Sequence, residues 1–65
     1  MNWEGEVTVV RESEKALLVD YEGEEFWVPK SQIHADSEIY SSRQVGETGN
    51  LVLPYWLAEK KGLCS

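Results

Sequence analysis

A strand that runs straight into a proline constrains this chain more than any other feature. In Phe26-Trp27-Val28-Pro29-Lys30-Ser31-Gln32-Ile33, three β-favouring residues meet Pro29, which has no backbone donor and so ends a ladder or confines it to an edge. Alternation predicts Phe26 and Val28 on one face and Trp27 on the other. Ser31 and Gln32 make a corner, and Ile33 returns to the core. One short strand cannot stand alone, so the rest of the chain has to supply its sheet.

The upstream residues supply two strands. Trp3 to Arg11 is rich in β-branched residues, with Val7 and Val9 on one face and Thr8 and Val10 on the other. Glu12-Ser13-Glu14 is a hairpin loop leading into a second strand, Lys15 to Tyr21. Its run Ala16-Leu17-Leu18-Val19 is apolar on both faces, which predicts a central strand buried on both sides. Glu22-Gly23 is a two-residue connection in which Gly23 supplies the positive φ of a tight turn. It delivers the chain into the third strand, Glu24 to Val28.

Downstream, residues 34–37 form a polar loop, and Ser37 to Ser41 is a weaker strand around Ile39 and Tyr40. Ser42 to Asn50, with Gly46 and Gly49, is a loop or second hairpin turn, and Gly49 to Leu53 is a final strand. Pro54 opens a helix in the first turn, where proline is tolerated, and the helix continues to Lys61. Lys60 and Lys61 complement its dipole, Gly62 is the expected C′ residue, and Leu63 folds back on the last turn. The expectation is a mainly β fold in one domain over residues 1–65. It is a small five-stranded antiparallel barrel, SH3-like or OB-like, with a short C-terminal helix.

At 65 residues, a core is near the lower size limit for standing without staples, which makes a homo-oligomer the expectation. The lone Cys64 forms no internal disulfide and fits a reducing compartment. No apolar run nears the roughly 18 residues of a membrane span, and the N-terminus has no signal-peptide pattern. A cytoplasmic protein is expected.

The net charge of −6 is unevenly spread. Residues 1–25 hold eight acids against Arg11 and Lys15, whereas residues 26–65 hold four acids against Lys30, Arg43, Lys60 and Lys61. The acidic half argues against broad binding to duplex DNA, which needs many cationic phosphate contacts. The neutral half places Trp27, Tyr40, Tyr55 and Trp56 among its cations. Aromatic faces stack on bases, lysine and arginine meet phosphates, and serine and glutamine read polar edges. Trp56 is the aromatic expected in the core, on the helix that covers the barrel. The expected ligand-binding set is Trp27, Lys30, Ser31, Gln32, Arg43 and Tyr55.

Catalysis is not expected. The only histidine, His34, has Asp36 and Glu38 nearby but no second cluster to complete a metal site. Gly46-Glu47-Thr48-Gly49 lacks the Gly-Lys-Ser/Thr ending of a phosphate loop. No nucleophile triad signature is present. Neither a catalytic residue, a metal ligand nor a cofactor is assigned.

Several runs carry a likeness beyond composition. Lys15-Ala16-Leu17-Leu18-Val19, the acidic turn at Gly23, the run Trp27 to Ile33, and Leu53-Pro54-Tyr55-Trp56-Leu57-Ala58-Glu59-Lys60-Lys61-Gly62-Leu63 together resemble a group of short bacteriophage and prophage proteins. Arg43 to Asn50 lies outside the likeness. The resemblance implies a phage or mobile-element origin, and with it the cytoplasm of an infected bacterial host, and carries over no catalytic residues. Small size, acidity, an expected oligomer and that origin together favour a non-enzymatic antagonist of host antiviral defence, acting by sequestering a nucleotide signal or by occluding a host protein. The alternatives are a single-stranded nucleic-acid-binding accessory of replication or recombination, and a structural assembly protein.

Overall fold

The structure, a computed structural model, describes residues 2–40 and 44–63. Its sheet comprises β1 (Asn2–Glu12), β2 (Ala16–Tyr21), β3 (Glu24–Pro29) and β4 (Thr48–Pro54), and α1 (Tyr55–Lys60) follows directly. All neighbouring strands are antiparallel, in the order β3-β2-β1-β4.

The two hairpins form where the sequence predicts them. Glu22 and Gly23 both have positive φ, at 51° and 89°, the geometry that matches the twist of the flanking strands. Asp20 Oδ1 accepts the Gly23 N–H at 3.0 Å, which fixes the turn from within. The Ser13 loop is closed by the Ser13 N–H on the Ala16 carbonyl at 2.8 Å.

β1 is the hub. Residues Asn2 to Thr8 pair with β4, and Thr8 to Glu12 pair with β2, with a register shift between Val9 and Arg11. The extra residue bends and twists the strand, so that β1 hands over from one neighbour to the other near Thr8. The inner face then gathers Val7, Val9, Leu17, Val19, Val28, Leu51 and Leu53, all essentially without solvent access, and Ile39 and Leu57 complete the cluster. Each such side chain contributes about 1.5–3 kcal/mol by leaving water.

α1 is short and ends as the sequence predicts. Gly62 has φ 78°, its N–H meets the Glu59 carbonyl at 3.1 Å, and the Leu63 N–H meets the Ala58 carbonyl at 2.9 Å. These two bonds make a Schellman closure, and Leu63 packs back on the core cluster. Pro54 differs slightly from expectation. It closes β4 and caps α1 with ψ 141°, rather than occupying the first helical turn.

Two expectations need correction. Residues Ser37 to Tyr40 are not a ladder strand, and Ser41, the last residue of that expected strand, lies outside the described residues. Among the described residues the sheet has four strands and does not close. The segment still covers the outer edge of β4, through both backbone and side chains: the Glu38 and Ile39 N–H groups donate to the Asn50 carbonyl at 2.8 and 3.3 Å. Ser37 Oγ accepts the Val52 N–H at 2.8 Å and donates to the Val52 carbonyl at 3.2 Å. Glu38 Oε1 accepts the Asn50 N–H at 2.8 Å. Side-chain oxygens stand where a partner strand would place carbonyls, so the edge is satisfied without a regular ladder. The second correction concerns β2. It is an interior strand, but only Leu17 and Val19 are buried, while Leu18 is half-exposed on the uncovered outer face.

Candidate functional site

The outer face of the sheet is built by register. Because the Glu22-Gly23 turn pairs Tyr21 with Glu24, it also pairs Leu18 with Trp27 and Ala16 with Pro29. Period-two alternation puts these four residues on the face opposite the core. Trp27 is 41% exposed, and Leu18 lies beside it across the strand pair. Arg11 is the next residue in the same row, across from Leu18. One step along the strands, Glu25, Asp20, Thr8 and Thr48 form a polar row, with Thr8 Oγ1 and Thr48 Oγ1 2.7 Å apart. The result is an apolar platform of Trp27, Leu18, Pro29 and Ala16 bordered by carboxylates on one side and by Arg11 at its end.

The six residues expected to bind a ligand are only partly brought together. Trp27 is on this platform, and Lys30, Ser31 and Gln32 follow it in a 3₁₀ turn. Lys30 Nζ, however, is engaged by Glu12 Oε2 at 3.1 Å and by the Glu14 carbonyl at 3.4 Å. An acid from the negative half of the chain therefore neutralises the cation that was expected to meet a phosphate. Tyr55 starts α1 at the far end of the sheet, beyond the Asn2–Pro54 pair, and is not part of the platform. Arg43 lies outside the described residues.

Trp56 departs from its expected place in the core. It is 55% exposed, because Leu57 and Ala58 are the α1 residues turned to the sheet. At about 100° per residue, the two aromatics that precede them face water. Lys60 is one turn on from Trp56 and shares its side of the helix. Arg11, Leu18, Asp20 and Trp56 are the surface residues that reading the sequence missed. The turn register would have found Leu18 and Asp20, whereas the β1 bulge that sets Arg11 leaves no composition signal.

His34 does not gather a metal site. Its Nδ1 accepts the Asp36 N–H at 3.1 Å, and among the described residues no three His, Cys, Asp or Glu side chains group for a metal ion. A small cleft of about 250 Å³ lies at the β2–β3 turn, lined by Tyr21, Glu22, Glu24, Gly62 and Leu63. Partial removal from water, then the hydrogen bond and charge of Glu22, raise the Tyr21 phenol above its ordinary 10.0. The fold thus favours the protonated phenol. That contribution is complete below pH 10.0 and is lost as pH rises through the higher folded value. Thermal melts against pH are expected to show an extra loss of stability as pH rises from 10.0 toward the folded value, and Tyr21→Phe is expected to abolish it. An unchanged alkaline limb in the variant would refute the assignment.

No helix among the described residues is long and apolar enough to cross a membrane. Comparison of the chain with family models, with curated proteins and with solved structures returns no match in any of the three.

Proposed function

We propose that this chain is a small non-enzymatic binding module of phage or mobile-element origin, which antagonises host antiviral defence by occluding a host protein. The observation that carries this reading is the outer-face platform. Trp27 is held out of the core by the same register that buries Phe26 and Val28 inward, and it sits beside Leu18 with carboxylates next to it. Exposed aromatics packed among apolar neighbours and rimmed by charge are how protein-binding hot spots are built. The pairing of Lys30 with Glu12 favours this protein-occluding reading over nucleotide sequestration, because phosphate would have to displace a carboxylate already in place. The architecture behind the platform is a small, incompletely closed barrel of the SH3-like or OB-like kind. The transfer of β1 from β4 to β2 near Thr8 supports it.

Co-expression with a host defence system tests the reading through phage plating efficiency. Trp27→Ala is expected to abolish the antagonism while leaving the fold cooperative, with a stability loss of about 1 kcal/mol or less, since the side chain is only partly buried. A variant that retains full antagonism would remove the platform from the mechanism. A molten variant would mean that Trp27 is core.

A second reading has its own observation. Tyr55 and Trp56 are exposed on α1, and Lys60 and Lys61 follow at its C-terminal end, so aromatic faces and cations stand together there as single-strand binding requires. The same aromatic pair is the surface through which a homo-oligomer would gain the buried area that its small core lacks. Fluorescence titration with a short oligothymidylate and light scattering separate the two uses of this helix. Trp56→Ala is expected to weaken whichever of them occurs.

A further inference from the structure

The outer edge of β3 is a second, backbone-based surface. Lys30 donates its N–H to the Lys15 carbonyl at 2.8 Å. In an antiparallel pair the N–H groups of Val28, Phe26 and Glu24 therefore face β2 as well, and those of Glu25 and Trp27 face away. β3 is the end strand of the sheet, and among the described residues no hydrogen bond reaches these two amides. Pro29 has no N–H to offer, so the edge is a short template with paired donors and acceptors at two alternate residues.

We propose that β3 accepts an additional antiparallel strand from a partner protein, an extended segment that reads apolar, apolar, basic, basic from its N-terminus. This deepens the protein-occlusion reading and rests on it. The order follows from register. The first residue lies opposite Trp27 on the outer face and packs against the exposed indole. The second lies opposite Phe26, which is half-buried on the core side. The third and fourth fall opposite Glu25 and Glu24. Glu22 sits in the adjoining turn and Asp20 beside Glu25, so the seam is strongly acidic and calls for lysine or arginine. A second copy of this chain would bring the same acids to the same seam, and like charges in that position oppose pairing. Backbone bonds supply affinity in strand addition, and alternate side chains supply selectivity.

The probe is a capped hexapeptide, Thr-Val-Ile-Arg-Arg-Thr, titrated into the full chain at low salt and followed by amide chemical shifts and hydrogen exchange. The Glu25 and Trp27 amides are expected to shift and gain protection. The double variant Glu24→Gln with Glu25→Gln is expected to weaken binding about tenfold. N-methylation at the peptide valine, whose N–H meets Trp27, is expected to abolish binding; at the isoleucine, whose N–H points away from the seam, it is expected to be tolerated. The proposal is overturned if the peptide does not bind, if it is indifferent to the valine methyl group, or if the reversed sequence binds equally. It is also overturned if the edge amides respond to protein concentration alone, which would show copies pairing there. A peptide that binds while plating is unaffected by the chain leaves the edge standing and removes host-protein occlusion. Loss of antagonism in Trp27→Ala without peptide binding does the reverse.

Discussion

Ser37→Ala is expected to lower folding stability by about 2 kcal/mol, read as a lower urea midpoint with an unchanged slope. Ser37 is 7% exposed and Val52 4%, so the bonds between them are made out of water. The serine hydroxyl both accepts the Val52 N–H and donates to its carbonyl. Alanine leaves the carbonyl with the His34 N–H at 2.9 Å but leaves the amide with nothing, and an orphaned buried donor costs about 1–3 kcal/mol. The damage spreads further, because Ile39, two residues on, is inserted in the core and depends on the same segment staying docked. A domain of this size rarely has more than about 3–5 kcal/mol in total, so the variant should be partly unfolded near body temperature. Amide exchange gives the local check, with Val52 protection falling more than that of Leu17 or Val19. Glu38→Gln is the control. Its amide oxygen still accepts the Asn50 N–H, so little change is expected. A fully stable Ser37→Ala protein would mean that water reaches the edge of β4.

That edge also shows where sequence reading stops. The hairpins were legible because their signals are local: Gly23 fixes a turn, the turn fixes a register, and the register alone places Trp27 outward beside Leu18. The Gly62 closure of α1 was legible for the same reason. The region from Ser37 to Tyr40 was not. Ile39 is buried like a strand residue, yet the acceptors that meet the β4 amides are a hydroxyl and a carboxylate, and composition does not distinguish a polar loop from a polar brace. The β1 bulge was hidden in the same way, since inserting one residue among Val9, Val10 and Arg11 leaves the pattern of β-branched residues intact while reversing which side chains share a face.

The candidate site was half legible for an electrostatic reason. Counting charges by halves of the chain isolated Lys30 as a cation near Trp27, but the fold brings Glu12 from the acidic half within 3.1 Å of it. Exposed pairs of this kind contribute little to stability, about 0–1 kcal/mol. Their consequence here lies in recognition: a surface expected to be cationic becomes apolar with an acidic border. The helix shows the converse. Trp56 was expected in the core because a terminal helix must cover the sheet, and the helix does cover it, with Leu57 and Ala58. A six-residue helix has one buried face, and the phase of that face decides which aromatic is left wet.

Gly5→Ala is expected to destabilise the fold by about 2 kcal/mol, although alanine is ordinarily the better residue inside a strand by about 0.5–1 kcal/mol. The reason is space. A β-carbon at Gly5 would lie 2.5 Å and 2.6 Å from Trp3 Cη2 and Cζ2 and 2.8 Å from Tyr21 Cε1. The indole lies over the glycine, and its edge contact with Tyr21 has ring centroids 5.0 Å apart at 81°. Accommodating even one methyl group forces the indole outward, which forfeits a contact worth about 0.5–1.5 kcal/mol and unpacks both rings from the core cluster. Valine at this position should cost more than alanine. Tryptophan fluorescence should move toward longer wavelength in step with the loss of stability as Trp3 becomes wetter. A double-mutant cycle isolates the cause. In a Trp3→Leu background the space above residue 5 is already open, so Gly5→Ala is expected to become nearly neutral, a coupling of about 1–2 kcal/mol. If the cost of Gly5→Ala were the same in both backgrounds, the indole would not be the obstacle, and the glycine would have to be explained by its backbone instead.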